Sequence, residues 1–422
     1  MNAKIMNAKM SNRVILSCFL AGCLEIYDFT IFGFLANTIH KNYLSFMDSK
    51  NALIVTYGLF AVGFVFRPVG SIMFGYIGDK FGRKKGIILS VSIMGLSSLS
   101  MFLLPTYDMI GIYSCYLIVL IRALQGISVG GEYSGAIIYA IEHVDKKKGL
   151  VGAIIVSGCL LGVMLAKFIV SVLENSALPD YSWRFAFLIG FCLSLIGYFI
   201  RNKLAESPEF IKLAESKEGY ARIPLLEGIR AYPIEVLAVI TLIGANGVNF
   251  YFVVVFLPDY LKKVNGIDIG NLSLWTTIIP AILAPLIGWT SDKLSRGKVL
   301  ITGIGLLIIY TIFTLPLILQ STDIQTIGTL VLGYALLLSI QSGTINTLSV
   351  EIFPTRYRFS CGAFCYATGM ALIGGTSPMI AAILMGRERG VFYLQTYVVI
   401  ITILAFILGA VIMIKNKNKI NV

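Results

Sequence analysis

Apolar residues in this chain come in long continuous runs broken by short polar segments. A helix that crosses a bilayer needs about 20 mostly apolar residues. Twelve runs meet that length: roughly 14–39, 52–78, 86–105, 111–142, 150–173 and 184–202, then 235–260, 271–291, 298–319, 326–352, 360–385 and 392–414. They are too long and continuous for barrel strands, so spanning helices are predicted. The longest polar stretch runs from Arg201 to Pro233 and divides the spans six and six. The predicted fold is therefore an all-α integral membrane protein. It has a six-helix bundle over 1–200, a linker over 201–234 and a second six-helix bundle over 235–422.

Composition strengthens that picture. Of the 422 residues, 57% are hydrophobic and 13% charged, whereas a soluble domain carries about 25% charged residues. The formal net charge of +12 does not indicate nucleic acid, because the basic residues sit in the breaks between runs and not along one patch. They read as topology signals. With the N-terminus inside, the inner segments hold 24 Lys and Arg against 6 in the outer loops, which places both termini in the cytoplasm. The basic N-terminus followed by an apolar run resembles a signal peptide, but no small-residue cleavage site follows, so it reads as a retained first span. The seven cysteines are odd in number, lie in or beside apolar runs and show no zinc spacing, so small packing residues are expected.

One break stands out. "GYIGDKFGRKK" (75–85) lies after span two, and a worn copy, "GWTSDKLSRGK" (288–298), follows span eight, 213 positions on. This is a parallel internal repeat of six spans. Gly75 and Gly78 allow close helix approach, Gly82 permits a tight turn, and Asp79 can face a helix N-terminus. Arg83 and Lys84 can meet carboxylates or helix carbonyls. The second copy keeps Asp292 and Arg296, but Ser295 replaces the glycine.

This repeated motif resembles the major facilitator superfamily signature. "LEIYDF" (24–29), "FRPVGSIMFG" (66–75), "RALQGISVGGEYSGA" (122–136), "WRFAFLIG" (183–190), "ESPEF" (206–210) and "EIFPTRYRFSCG" (351–362) occur in order. Together they resemble the metabolite:proton symporter family, which includes proline/betaine transporters and α-ketoglutarate, citrate and shikimate permeases. The resemblance implies two pseudo-symmetric bundles, with the charged motif as a latch between them made and broken as access alternates. The gating residues would be Gly75, Asp79, Gly82, Arg83, Lys84, Asp292 and Arg296. "GCLLGVM" (158–164) lacks the proline of drug–proton antiporters, which disfavours that exchange. The chain stops at "IKNKNKINV" (414–422), without the coiled coil some proline/betaine transporters carry.

Ionisable groups inside a bilayer cost at least about 2.5 kcal/mol each, so those that remain are functional candidates. They are Glu25, Asp28, Glu132, Arg67, Arg122 and Lys167, all in the first half. Glu25 and Asp28 are three apart and share a helix face, where both cannot ionise cheaply. "RALQG" matches the superfamily's span-four motif, which is linked to proton transfer. Glu25, Asp28, Arg122 and Glu132 form the expected proton-coupling set, each with a structural ion pair as the alternative. Arg67, before the kink-forming Pro68, could hold a substrate carboxylate or pair with Glu25 or Asp28. Tyr27, Arg67, Arg122, Asn246, Asn249 and Tyr251 form the expected substrate-binding set. Trp275 is a further aromatic suited to a quaternary ammonium, and Lys167 could snorkel outward. His40 and His143 sit at span ends. There is no phosphate loop, metal cluster or nucleophile triad in the sequence, so no enzyme, cofactor or metal is expected.

The reading is a proton-driven importer of the inner (plasma) membrane, a monomer whose partners are protons, lipid and a small polar solute. Proline or glycine betaine comes first, because three anionic and three cationic groups balance in the cavity. A mono- or dicarboxylate held by Arg67 and Arg122 comes second. A solute-binding membrane sensor without transport is the alternative from another class.

Overall fold

A run of apolar residues in hydrocarbon has to satisfy its backbone polar groups internally, which a helix does. The computed structural model describes residues 2–47, 58–59, 62–175, 178–216, 220–267 and 269–415, and its architecture is all helical apart from short connections. Eleven described helices are long and apolar enough to cross a bilayer. These are spans one (Asn12–Phe34), three (Arg83–Leu103), four (Tyr113–Ile141), five (Lys148–Glu174), six (Ser182–Asn202), seven (Pro233–Tyr260), eight (Leu274–Leu294), nine (Arg296–Gln320), ten (Ile324–Glu351), eleven (Arg358–Met385) and twelve (Gly390–Lys415). Span two, expected over 52–78, begins outside the described residues, and the helix Arg67–Lys80 is its end nearest the linker.

Several boundaries differ from the expected ones for local reasons. The helix of span one begins at Asn2, so the polar N-terminal turns continue it. In span two a turn at Phe66 interrupts the helix, which resumes at Arg67 with Pro68 in its first turn, where a missing N–H costs nothing. Spans seven and eleven each contain a wide π-helical turn, Phe252–Phe256 and Met370–Gly374. Span ten breaks between Ser342 and Ile345. The linker carries two short helices, Pro208–Glu215 and Pro224–Ala231. The first is started by Ser207, whose hydroxyl accepts the Phe210 N–H at 3.2 Å, with proline at the next position, a strong start signal.

Within the first half, span one packs on span five and span four packs on spans two and three. The span two–four contact is backbone to backbone. A Cβ on Gly70 would stand 1.8 Å from the Ile127 carbonyl oxygen, and one on Gly130 would stand 2.1 Å from that of Arg67. Only glycine permits this approach, and it brings Arg67 beside span four. Two seams join the halves: span two against span eleven, and span five against span eight. Asp323 caps span ten by accepting the N–H groups of Gln325 and Thr326.

Candidate functional site between the two halves

Span one sends Glu25 into the middle of the molecule, where it is 1% exposed. Among the described residues neither carboxylate oxygen has a hydrogen-bond partner. Arg67, on span two, is equally buried. Its guanidinium lies 4.2 Å from the Phe29 ring centroid and 4.4 Å from that of Phe64. Its Nε has no hydrogen-bond partner, and it forms no ion pair with a described carboxylate. The expected alternative, a structural pair with Glu25 or Asp28, is not what the structure holds. Phe64 meets Tyr251 of span seven edge to face at 6.1 Å. Tyr133 of span four lies against Tyr366 of span eleven at 4.5 Å. A guanidinium and a carboxyl that form no ion pair with a described residue thus meet an aromatic wall from both halves at the seam.

The other expected residues distribute around this centre. Asp28 shares Glu25's helix but turns into the first half, where it accepts from Ser98 Oγ at 2.9 Å and Ser194 Oγ at 3.3 Å. Glu132 forms an ion pair with Arg201 of span six at 2.8 Å. Arg122 donates to Gln125 Oε1 at 2.7 Å and lies over Phe29 and Phe32, behind the Arg67 layer. Asn246 keeps a buried Oδ1 without a partner.

Two members of the expected substrate-binding set are already engaged by other groups of the protein. Asn249 donates to Thr402 at 3.1 Å and to the Ala245 carbonyl at 2.8 Å, and accepts from Tyr334 at 2.5 Å. Its amide is saturated inside the second half. Tyr27 donates to the Ala186 carbonyl at 3.0 Å within the apolar core of the first half. Trp275 is half exposed and Lys167 is exposed, which puts both on the outer surface.

At the linker end the repeated motif closes both seams. Asp79 accepts the backbone N–H groups of Phe359 at 3.2 Å and Ser360 at 2.8 Å, in the first turn of span eleven. Arg83 pairs with Asp79 at 2.5 Å and with Glu142 at 3.3 Å, and donates to the Thr355 carbonyl at 2.6 Å. Gly75 and Gly78 leave room for Ser360 and the Phe359 ring. The second copy repeats this: Asp292 accepts from Gly149 at 2.8 Å and Leu150 at 2.9 Å, in the first turn of span five. Arg296 pairs with Asp292 and, at 2.6 Å, with Glu351. A carboxylate on a helix N-terminus meets unpaired N–H groups and the positive end of the dipole.

The linker covers the first latch. Glu206 accepts the Lys84 N–H at 3.2 Å, Lys84 Nζ donates to the Asn202 carbonyl at 2.7 Å, and Ser207 donates to Glu142. Glu209 pairs with Arg358 at the head of span eleven and, at 3.1 Å, with Lys148 at the head of span five. Burial alone would raise the Glu209 carboxyl, but the Arg358 guanidinium and then the Lys148 ammonium hold it down at about 2.

Sequence reasoning did not single out Arg201, Glu142, Phe64, Tyr133 or Tyr366. Arg201 had a signal: it falls inside the apolar run 184–202. The tyrosines had none among 21 in the chain.

Comparisons agree with this architecture. The Major Facilitator Superfamily model matches residues 18–360. The Proline/betaine transporter of Escherichia coli (strain K12) is 29% identical over 96% of this chain and 84% of its own length. A protein of Staphylococcus haemolyticus (strain JCSC1435), provisionally named a proline/betaine transporter, is 30% identical over 98% of this chain and 90% of its own. The proton:xylose symporter XylE bound to 6-bromo-6-deoxy-D-glucose superposes with a TM-score of 0.78 at 16% identity, covering 98% and 96% of the two chains. The inward-open form of E. coli XylE gives 0.65 at 16% identity, covering 95% of each chain. The chain is a multi-pass membrane transporter with twelve spans in two pseudo-symmetric halves, and it belongs to the major facilitator superfamily.

Proposed function

We propose that this protein is a proton-coupled symporter that imports a small zwitterion of the proline or glycine betaine kind. The observation that carries the reading is an Arg67 that forms no ion pair with a described carboxylate and lies at a cluster of aromatic rings to which both halves contribute. The guanidinium suits the solute's carboxylate. The faces of Phe64, Tyr251, Tyr133 and Tyr366 suit its ammonium. Two relatives carry the proline/betaine transporter name, which supports the same solute class. A dicarboxylate would need a second free guanidinium. Arg122 is engaged with Gln125 and the Leu59 carbonyl, which weighs against that alternative and against Arg122 as a substrate ligand.

The working cycle follows from the latches. The bundles 1–200 and 235–422 rock about the central site. With Asp79 and Asp292 on their helix caps, the linker side is shut and solute enters from the far side. The excess of Lys and Arg makes the linker side cytoplasmic, with both termini there and the protein in the plasma membrane as a monomer.

Uptake by purified protein in liposomes tests this, with labelled proline, glycine betaine and α-ketoglutarate, with and without an inward proton gradient. Zwitterion accumulation abolished by a protonophore is expected, with Arg67→Gln removing it at unchanged protein abundance. Accumulation of α-ketoglutarate alone would replace the zwitterion reading. Binding without accumulation of any solute would make the protein a sensor.

A further inference from the structure

Three carboxyls inside the first half could carry the proton, and their surroundings differ. Asp28 is solvated by Ser98 and Ser194 and pressed against Gly190, all within the first half. Glu132 forms an ion pair through one oxygen with Arg201 at 2.8 Å, both side chains being at most 2% exposed, while its other oxygen has no hydrogen-bond partner among the described residues. Arg201 also donates to the Ile87 carbonyl at 3.2 Å, so the guanidinium is anchored on span three while it grips span four. Of these three carboxyls, Glu25 is the one with both oxygens buried and without a hydrogen-bond partner among the described residues.

The titratable and charged groups around Glu25 come from five other spans: Arg67, Glu132 and Tyr133, Cys159, Arg201, and Tyr366 from the second half. A buried carboxylate without a partner takes a proton in preference to staying charged. An ion-paired one stays charged.

We propose that Arg201 is a positioning residue that selects the proton carrier: by clamping Glu132 from span six, it leaves Glu25 as the carboxyl that takes up and gives back the proton. This rests on the proton-coupled reading above. The exchanged species is one proton, taken from water on the far side onto a Glu25 carboxylate oxygen and returned to water on the linker side. Arg67 links it to solute. A solute carboxylate on Arg67 cancels the positive charge near Glu25, so the proton stays. When the solute leaves, that charge is restored and the proton is released. Proton and solute therefore strengthen each other's binding, as linkage requires.

The test is an infrared pH titration of the purified, ligand-free full chain, read at the C=O stretch of protonated carboxyls. In the wild type a titrating band is expected that is lost in Glu25→Gln and kept in Glu132→Gln and Asp28→Asn. Arg201→Gln should add a second titrating band, from the freed Glu132, and Glu132→Gln/Arg201→Gln should remove it again. A merely structural Arg201 would add no band. Loss of the wild-type band in Glu132→Gln with retention in Glu25→Gln overturns the assignment, as does the absence of a second band in folded Arg201→Gln. These readings need no transport. If wild-type liposomes show no proton-driven accumulation while the bands behave as stated, the symport reading fails and the carboxyl assignment stands.

Discussion

Asp79 and Asp292 each receive two backbone N–H groups from the first turn of a helix in the opposite half, and each is braced by an arginine four residues on. The surroundings are unequal. Asp79, Arg83 and Glu142 are at most 1% exposed in their side chains, while Asp292, Arg296 and Glu351 are 11–17% exposed. The linker lies over the first latch. At the turn itself Gly82 has φ 119° and ψ 143°, and Ser295 takes nearly the same conformation at φ 94° and ψ 117°. The turn is therefore required by the joint. The second copy has lost the glycine but kept the glycine's backbone, at a cost of about 1–3 kcal/mol in local strain. What the repeat preserves is the acceptor on the helix cap and its guanidinium.

The largest effect that tests this inequality is Asp79→Asn. It leaves Arg83 buried with one acidic partner fewer, a change of about 3–5 kcal/mol against the closed linker side. Uptake should slow at normal membrane abundance, and cysteines placed at the linker-side seam should become reactive to a thiol reagent. Normal uptake would show that this latch does not gate. Asp292→Asn, in a wetter site, should give the same change reduced to about 1–3 kcal/mol. Equal effects at both positions would erase the contrast.

Glu209→Gln should cost about 1 kcal/mol, since the pair is partly exposed. The sign with pH follows from the depressed carboxyl. Its stabilisation is fully present above its ordinary value of 4.5 and is lost as pH falls toward about 2. The gap in thermal stability between wild type and Glu209→Gln should thus be constant at neutral pH and narrow below about pH 4.5. Smallest is Ser295→Gly, expected to raise stability by about 1 kcal/mol by removing strain, read as a shift in thermal midpoint of about 1–2 °C. Gly82→Ser should go the other way, because a Cβ there stands 2.3 Å from a Glu206 oxygen.

The fold was legible because it rests on one-dimensional signals: run length, the asymmetry of Lys and Arg, and a motif repeated at half the chain. The residues of the repeated motif could be located for the same reason. The centre of the site was legible only in part. Helical spacing put Glu25 and Asp28 on one face, but a three-residue step still turns side chains by tens of degrees, and each met a different span. Asn249 and Tyr27 look like pocket residues in sequence because polarity in an apolar run is all that sequence displays. Whether a polar group is already satisfied depends on Thr402, Tyr334 and Ala186, far away in the chain. The Tyr133–Tyr366 contact joins positions from opposite halves, and no local pattern encodes it.

Glu209 reaches Lys148 and Arg358 together, the heads of the two helices that the two latches cap. A single side chain thus reports on both seams. Were one seam to open alone, that carboxylate would lose one cation while still tied to the other, so the half-released state keeps part of the interaction that full opening gives up. The linker thereby ties the two seams to one another through a contact worth about 1 kcal/mol. A carboxylate shared in this way makes the parting of each seam felt at the other.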